Sequence, residues 1–331
     1  MNTFKFSATL AAGLLVPAAF ANLKIVTTTA DLASIAGAIG GNKVSVSSLI
    51  TGARDAHRIE AKPSYMSRVG GADLFIAVGL ELEIGYEQPI LAGSSNRKVA
   101  VGSPGHVYAA DFAYILEKPS GNVTRAMGDI HPYGNPHIWL DPYNGRLIAK
   151  GLENKMSSLD KANASYYQAN LEAFIKRLDT AMFGAAAVGK YGGQQLWEWS
   201  NTGALKAKVA DLGGWAEQMA PLAGKPILTY HKSWSYFANR FGLKVVDELE
   251  PKPGLDPTPG HLSDVVREGT SQGVKTILQE PFFSRRAADF VAGRIGASVA
   301  VAPQSVGQDG GATDYITLFD TIVAKVRSAA R

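Results

Sequence analysis

Two series of short β-rich runs, each alternating with helical runs, flank one long helical segment, and few folds satisfy that pattern. In the first series, residues 23–28, 44–50, 74–78 and 99–101 read as strands, and Asp31 to Ala36 carry helical spacing. In the second, residues 226–230, 243–246, 276–278 and 299–301 read as strands. Trp234, Phe237 and Phe241 share a helical face there, and a closing helix runs over 315–326. Strands alternating with helices imply a largely parallel sheet covered by helices. Between the series, Leu171, Phe174, Ile175, Leu178 and Met182 recur at helical intervals, with Ser157 and Asp160 as candidate caps. A helix over 157–183 is about 35–40 Å long, enough to join one domain to another. The predicted fold class is α/β: two lobes, each a mostly parallel sheet flanked by helices, joined by one long rigid helix. The lobes span 22–156 and 184–331; residues 184–222 yield only short helices and loops.

A chain of 331 residues with 46% hydrophobic and 19% charged residues has enough apolar material for two cores. Residues 1–21 stand apart. Lys5 precedes a short apolar stretch over 8–16, and Ala19-Phe20-Ala21 has the small-x-small form of a cleavage site. They read as a signal peptide, with the mature chain beginning at Asn22. The apolar stretch is too short to span a bilayer, and no later one is long enough, so no membrane insertion is expected. The absence of cysteine excludes disulfides, thiolate zinc sites and a lipidated cysteine. Export without either points to a soluble protein of a Gram-negative periplasm. The net charge is +4, and no segment clusters Lys and Arg densely enough for nucleic-acid binding.

The stretch most suited to chemistry is Gly134-Asn135-Pro136-His137-Ile138-Trp139-Leu140-Asp141-Pro142. Pro136 biases Asn135 toward extended geometry, and Asp141-Pro142 is an N-cap with proline at the first helical position. His137 is thus held between a stiff turn and a helix start. Of the chain's six histidines, His57 and His231 share its context. His57 follows an early strand, and His231 ends the first strand of the second series. Ligands of open α/β sheets bind at the carboxyl ends of strands, and three neutral imidazoles meeting there suit zinc. The plain alternative is that each is a hydrogen-bonded loop residue.

The segment Asp55-Ala56-His57-Arg58-Ile59-Glu60-Ala61-Lys62-Pro63-Ser64 resembles the Asp-Pro-His…Glu-Pro-x-Pro-Ser segment of metal-specific substrate-binding proteins of ABC transporters, the cluster A-I zinc and manganese group. Residues 134–142 match that family's second ligand motif, Tyr230-His231-Lys232-Ser233-Trp234 is similar to its third, and Asp314-Tyr315 resembles the start of its last helix. The resemblance covers essentially the whole mature chain. It implies two α/β lobes joined by one rigid helix, with the metal between them. Manganese-type members carry a glutamate at the position of His231, so the resemblance implies Zn2+ as transported ligand, held by His57, His137 and His231. The family's fourth ligand, a carboxylate after the last strand, falls on Gln304. Glu280 is the nearest candidate carboxylate, either as fourth ligand or as partner of a ligand histidine; Asp309 or a water are the alternatives.

The other histidines read more plainly. His131 is an accessory ligand or a solvated loop residue, His261 a helix-start residue and His106 a turn residue. Glu81 and Glu83 read as solvated, and Trp234 as core. The leading function is a monomeric periplasmic zinc-binding protein that delivers the ion to an ABC transporter membrane permease, with a periplasmic zinc chaperone as a further candidate partner. It is not expected to be an enzyme. The competing readings are a zinc-dependent hydrolase or hydratase, for which only Glu280 is a plausible base, and a metal-binding adhesin.

Overall fold

The computed structural model describes residues 22–121, 124, 128 and 131–331. The signal-peptide expectation for 1–21 lies outside the described residues. In the first half, β1 (Leu23–Thr27), β2 (Val44–Ser48), β3 (Leu74–Ala77) and β4 (His106–Tyr108) alternate with α1 (Ala30–Gly40), α2 (Pro63–Gly70) and α3 (Glu87–Ser94). The strands form a parallel four-stranded sheet in the order β2-β1-β3-β4. Helix α1 begins where Thr29 accepts the Leu32 amide, and it buries Leu32, Ile35, Ala36 and Ile39, a single stripe at helical spacing.

After α4 (Pro142–Leu159) and α5 (Ala164–Phe183) come four short helices, α6 (Ala185–Tyr191), α7 (Gly193–Asn201), α8 (Leu205–Lys208) and α9 (Gly214–Met219). The second sheet holds β5 (Pro226–Thr229), β6 (Lys244–Glu248), β7 (Thr276–Gln279) and β8 (Ser298–Val301), ordered β6-β5-β7-β8 and again parallel. It alternates with α10 (Ser235–Phe241), α11 (Pro259–Ser271) and α12 (Arg285–Ile295), and α13 (Tyr315–Ala329) closes the chain. Both sheets therefore put their first strand inside and their second at the edge. One hydrophobic core runs from the first sheet through α5 to α13 and part of the second sheet. A smaller core holds Leu228, Leu262, Val265, Ile277 and Val291 beneath α11 and α12. The structure is two parallel-sheet lobes flanked by helices.

Four local expectations change. The predicted single helix over 157–183 is two helices. Asp160 breaks it at φ −133°, ψ 72°, and its carboxylate accepts Asn163 Nδ2 at 2.8 Å and the Tyr167 hydroxyl at 2.7 Å. Helix α5 alone has 20 residues, about 30 Å at 1.5 Å per residue. The predicted strand at 99–101 is not one. Asn96 caps Lys98 N and ties to the carbonyls of Val69 and Ala72, winding Arg97–Val99 into a 3-10 turn. The edge strand comes later, after Gly105, where a Cβ would press into the carbonyl oxygens of Lys98 and Asp73.

His106, expected in a turn, is therefore buried in β4, with Nε2 2.9 Å from Glu87 Oε1. Glu83, expected to be solvated, is 1% exposed. Its carboxylate accepts the Thr28 hydroxyl and the Val78 and Gly79 amides, and burial pushes its pKa to about 7. His261 lies in the first turn of α11, and Trp234 is fully buried, both as expected.

Candidate metal centre

Two of the candidate histidines are set by the same local device. In the loop between β2 and α2, Asp55 Oδ1 accepts the His57 amide at 2.9 Å and faces His57 Nδ1 at 3.0 Å. Ahead of α4, Asn135 Oδ1 accepts the His137 amide at 3.0 Å and faces its Nδ1 at 2.9 Å. A short side chain two residues upstream thus folds the turn and orients the ring together. Gly134, at φ 113°, makes the second turn possible, because a Cβ there would run into Ile115 and the Leu116 carbonyl. His231 stands just past the end of β5, and its Nδ1 lies 2.6 Å from Glu250 Oε2, beyond the end of the neighbouring strand β6. Because carboxylate and amide oxygens only accept, in each neutral ring Nδ1 carries the proton and Nε2 keeps its lone pair.

The three rings meet. Ligand atoms of His57, His137 and His231 all lie within 4.8 Å of one another. Ring centroids are 5.1 Å apart for His57 and His137, 5.4 Å for His57 and His231, and 5.5 Å for His137 and His231. His131 joins from the loop before Asn135, with its Nε2 3.2 Å from His57 Nε2. All four line one cavity of about 60 Å³, walled also by Glu117, Asn135, Lys232 and Pro253. Nitrogens bound to one tetrahedral zinc at about 2.0–2.1 Å sit about 3.3 Å from each other, so the His57–His131 spacing is that of two donors sharing an ion.

The electrostatics keep two of these donors, His137 and His131, neutral. Burial, reinforced by the neighbouring rings of His57, His231 and His131, holds His137 well below the ordinary histidine pKa. Burial and His57 lower His131 to about 4. His231 goes the other way. Burial pulls its pKa down, but the hydrogen bond and charge of Glu250, with Glu280 and Asp55 behind, outweigh it and leave it raised. For Asp55, burial is outweighed by the His57 hydrogen bond and charge, and its pKa is lowered.

The candidate fourth ligands fare differently. Glu280, wholly buried after β7, is not in the group of three histidines. Its Oε1 accepts the Ser233 hydroxyl, and its Oε2 has no hydrogen-bond partner among the described residues. Burial pushes its pKa up to about 7 against the opposing effects of His231 and Ser233. Gln304 is buried, and its backbone carbonyl accepts Trp139 Nε1 at 2.7 Å. Asp309 is committed to its own loop, accepting the Gly311 and Ala312 amides at 3.2 Å, with Lys325 Nζ at 3.6 Å.

Groups from both halves hold the site together. Asn135 Nδ2 donates to the Lys232 carbonyl at 2.8 Å, and the Tyr236 hydroxyl donates to the Asn135 carbonyl at 2.7 Å. Asp141, which caps α4, takes two bonds from Arg240, at 2.7 and 2.8 Å. The roles of Asp55 and Asn135 were open to sequence reasoning through the Asx-x-His spacing they share. Glu250 was not, because it stands 19 positions from His231 and reaches it only through sheet pairing.

Comparison with known proteins identifies the family. Residues 25–183 and 199–329 match the family model "ZnuA: Zinc-uptake complex component A periplasmic". The metal ABC transporter substrate-binding lipoprotein of Lactococcus lactis subsp. lactis (strain IL1403) is 23% identical over 305 residues, 92% of this chain and 80% of that protein. The high-affinity zinc uptake system protein ZnuA of Yersinia pestis is 23% identical over 295 residues, 85% of this chain and 83% of that protein. A crystal structure of ZnuA superposes with a TM-score of 0.70 at 22% identity, covering 94% of this chain and 100% of that one, and shares the fold. With the family match running from residue 25 to residue 329, broken only between 183 and 199, the chain belongs to the ZnuA family of periplasmic zinc-uptake components.

Proposed function

We propose that this protein captures Zn2+ in the periplasm and delivers it to the membrane permease of an ABC importer, with His57, His137 and His231 as ligands. The observation that carries the reading is the convergence of three imidazoles whose Nδ1 atoms are each anchored. An all-imidazole set favours zinc over manganese, which prefers oxygen donors. His131, close to His57 but outside the group of three, is the candidate fourth donor. Glu280 serves His231 as a charge behind the site. Zinc here is cargo, and the residues do coordination chemistry only. A hydrolase would need a base beside the ion, and Glu280, the candidate the sequence offered, is tied to Ser233.

The lobes divide as the sequence suggests, over 22–156 and 184–331, with α5 as the joining helix. The continuous core beneath it supports small rigid shifts between lobes rather than wide closure. The test is a competition titration of zinc against manganese, with zinc-edge absorption on the bound form. One zinc per chain in an imidazole shell is the expected result. His137→Ala should weaken zinc binding by orders of magnitude, and an unchanged affinity would sink the assignment.

A further inference from the structure

Arg58 follows His57 directly, on the solvent side of the same loop, and has no part in the coordination described above. Its Nη2 reaches across the cleft to donate to the Gly254 carbonyl at 2.7 Å, and its Nε lies 3.6 Å from Asp55 Oδ2. Both ends of that reach lead to a histidine. On one side, Asp55 Oδ1 holds His57 Nδ1 at 3.0 Å. On the other, the Gly254 amide donates at 2.9 Å to Glu250 Oε2, the same oxygen that holds His231 Nδ1 at 2.6 Å. Gly254 can serve both partners because it turns the chain at φ 80°, where the Leu255 amide closes on the Lys252 carbonyl at 3.0 Å.

An unbroken chain of hydrogen bonds and one ion pair therefore runs His57–Asp55–Arg58–Gly254–Glu250–His231, with Arg58 as its only link between the lobes. Arg58 also stands between two clefts of about 440 and 780 Å³, the larger of which reaches His57 and His131.

We propose that Arg58 is a positioning residue that latches the His57 loop to the Glu250–Gly254 turn and thereby sets the rate at which bound metal leaves. The inference rests on the metal-binding reading above. Metal escape requires His57 to part from His231, and the latch must break for that to happen. The exposed Arg58–Asp55 pair adds little by itself. The charge-assisted bond to the Gly254 carbonyl is the stronger contact.

The experiment compares wild type with Arg58→Ala in two readouts. In metal-free protein, hydrogen exchange at the His57 and Gly254 amides should quicken, while the thermal midpoint and exchange in the sheets stay put. In zinc-loaded protein, release into excess chelator should quicken about tenfold with the imidazole shell at the zinc edge unchanged. Unchanged exchange at both amides overturns the latch, as does quickening spread evenly through the protein with a lowered midpoint. Faster local exchange with an unchanged release rate overturns the link to metal release. If wild type binds no zinc, the transport reading fails, and the exchange arm still decides the latch.

Discussion

At His231 the two demands on a metal-binding imidazole pull in opposite directions. Glu250 holds the ring in the ligating tautomer, but its charge also favours the protonated ring, which cannot bind metal. A histidine with a raised pKa holds its proton to higher pH, so protons compete at His231 before they do at His137, the proposed ligand held low by burial. Zinc affinity should therefore drop as the solution is acidified, starting at a higher pH than an unperturbed histidine would set. In Glu250→Gln, His231 loses its charged partner and the drop should move to lower pH. Competition titrations between about pH 5 and 8 would show it, and superimposable profiles would contradict it.

Asn135 carries a different load, since it both orients His137 and bonds the chain beside His231. Asn135→Ala should cost about 10–100-fold in zinc affinity with all ligand residues still present, as measured by the same titration. The histidines themselves were legible because each sits in a short, distinctive stretch. Their orienting partners were legible only where they are local: Asp55 and Asn135 lie two residues upstream, while Glu250 comes from another strand.

Among the elements, helix starts were the most readable feature, because a cap is a local arrangement of a few adjacent residues. Asp141 accepts the Tyr143 amide at 2.9 Å, and Asp314 forms a capping box with Thr317 at the start of α13. Their energetic weight differs, which the spacing alone does not reveal. Asp141 is buried against Arg240, with side-chain exposures of 1% and 7%. Removing it strands a buried guanidinium, so Asp141→Ala should cost about 3–5 kcal/mol. Asp314 is half-buried, and its loss should cost about 1 kcal/mol as an ordinary cap. Urea unfolding of the two variants would compare them directly, and equal losses would refute the distinction. The elements that sequence reading misplaced were those set by distant partners. Asn96 bends Arg97–Val99 into a turn through the carbonyls of Val69 and Ala72, and Asp160 interrupts a pattern that otherwise reads as one helix.

For the molecule as a whole, three buried carboxyls shape the response to pH. Asp31, which accepts the Val306 amide at 3.0 Å and the Ser305 hydroxyl across the lobes, is raised to about 6 by burial. Glu83 and Glu280 are each raised to about 7, burial again being the largest cause. An acid whose pKa is higher folded than unfolded binds more protons in the folded state. Its stabilising contribution is fullest below the unfolded value and is lost as pH rises through the folded one. For Glu280 that window runs from 4.5 up to about 7. Metal-free Glu280→Gln, which does not titrate, should therefore gain stability relative to wild type as pH rises from about 5 to 8. Thermal midpoints across that range would test it, and a difference independent of pH would exclude a raised Glu280.

The sequence by itself determined the class of fold and the pairing of two α/β series, and it singled out the three histidines. Strand and helix periodicity, caps and Asx turns are properties of neighbouring residues and are written locally. Only the tertiary structure decided that the rings face one cavity, that Glu250 reaches His231, and that Glu83 and His106 are buried. Those facts depend on which strand ends come side by side when two sheets meet, and residues far apart in the chain carry no local mark of it.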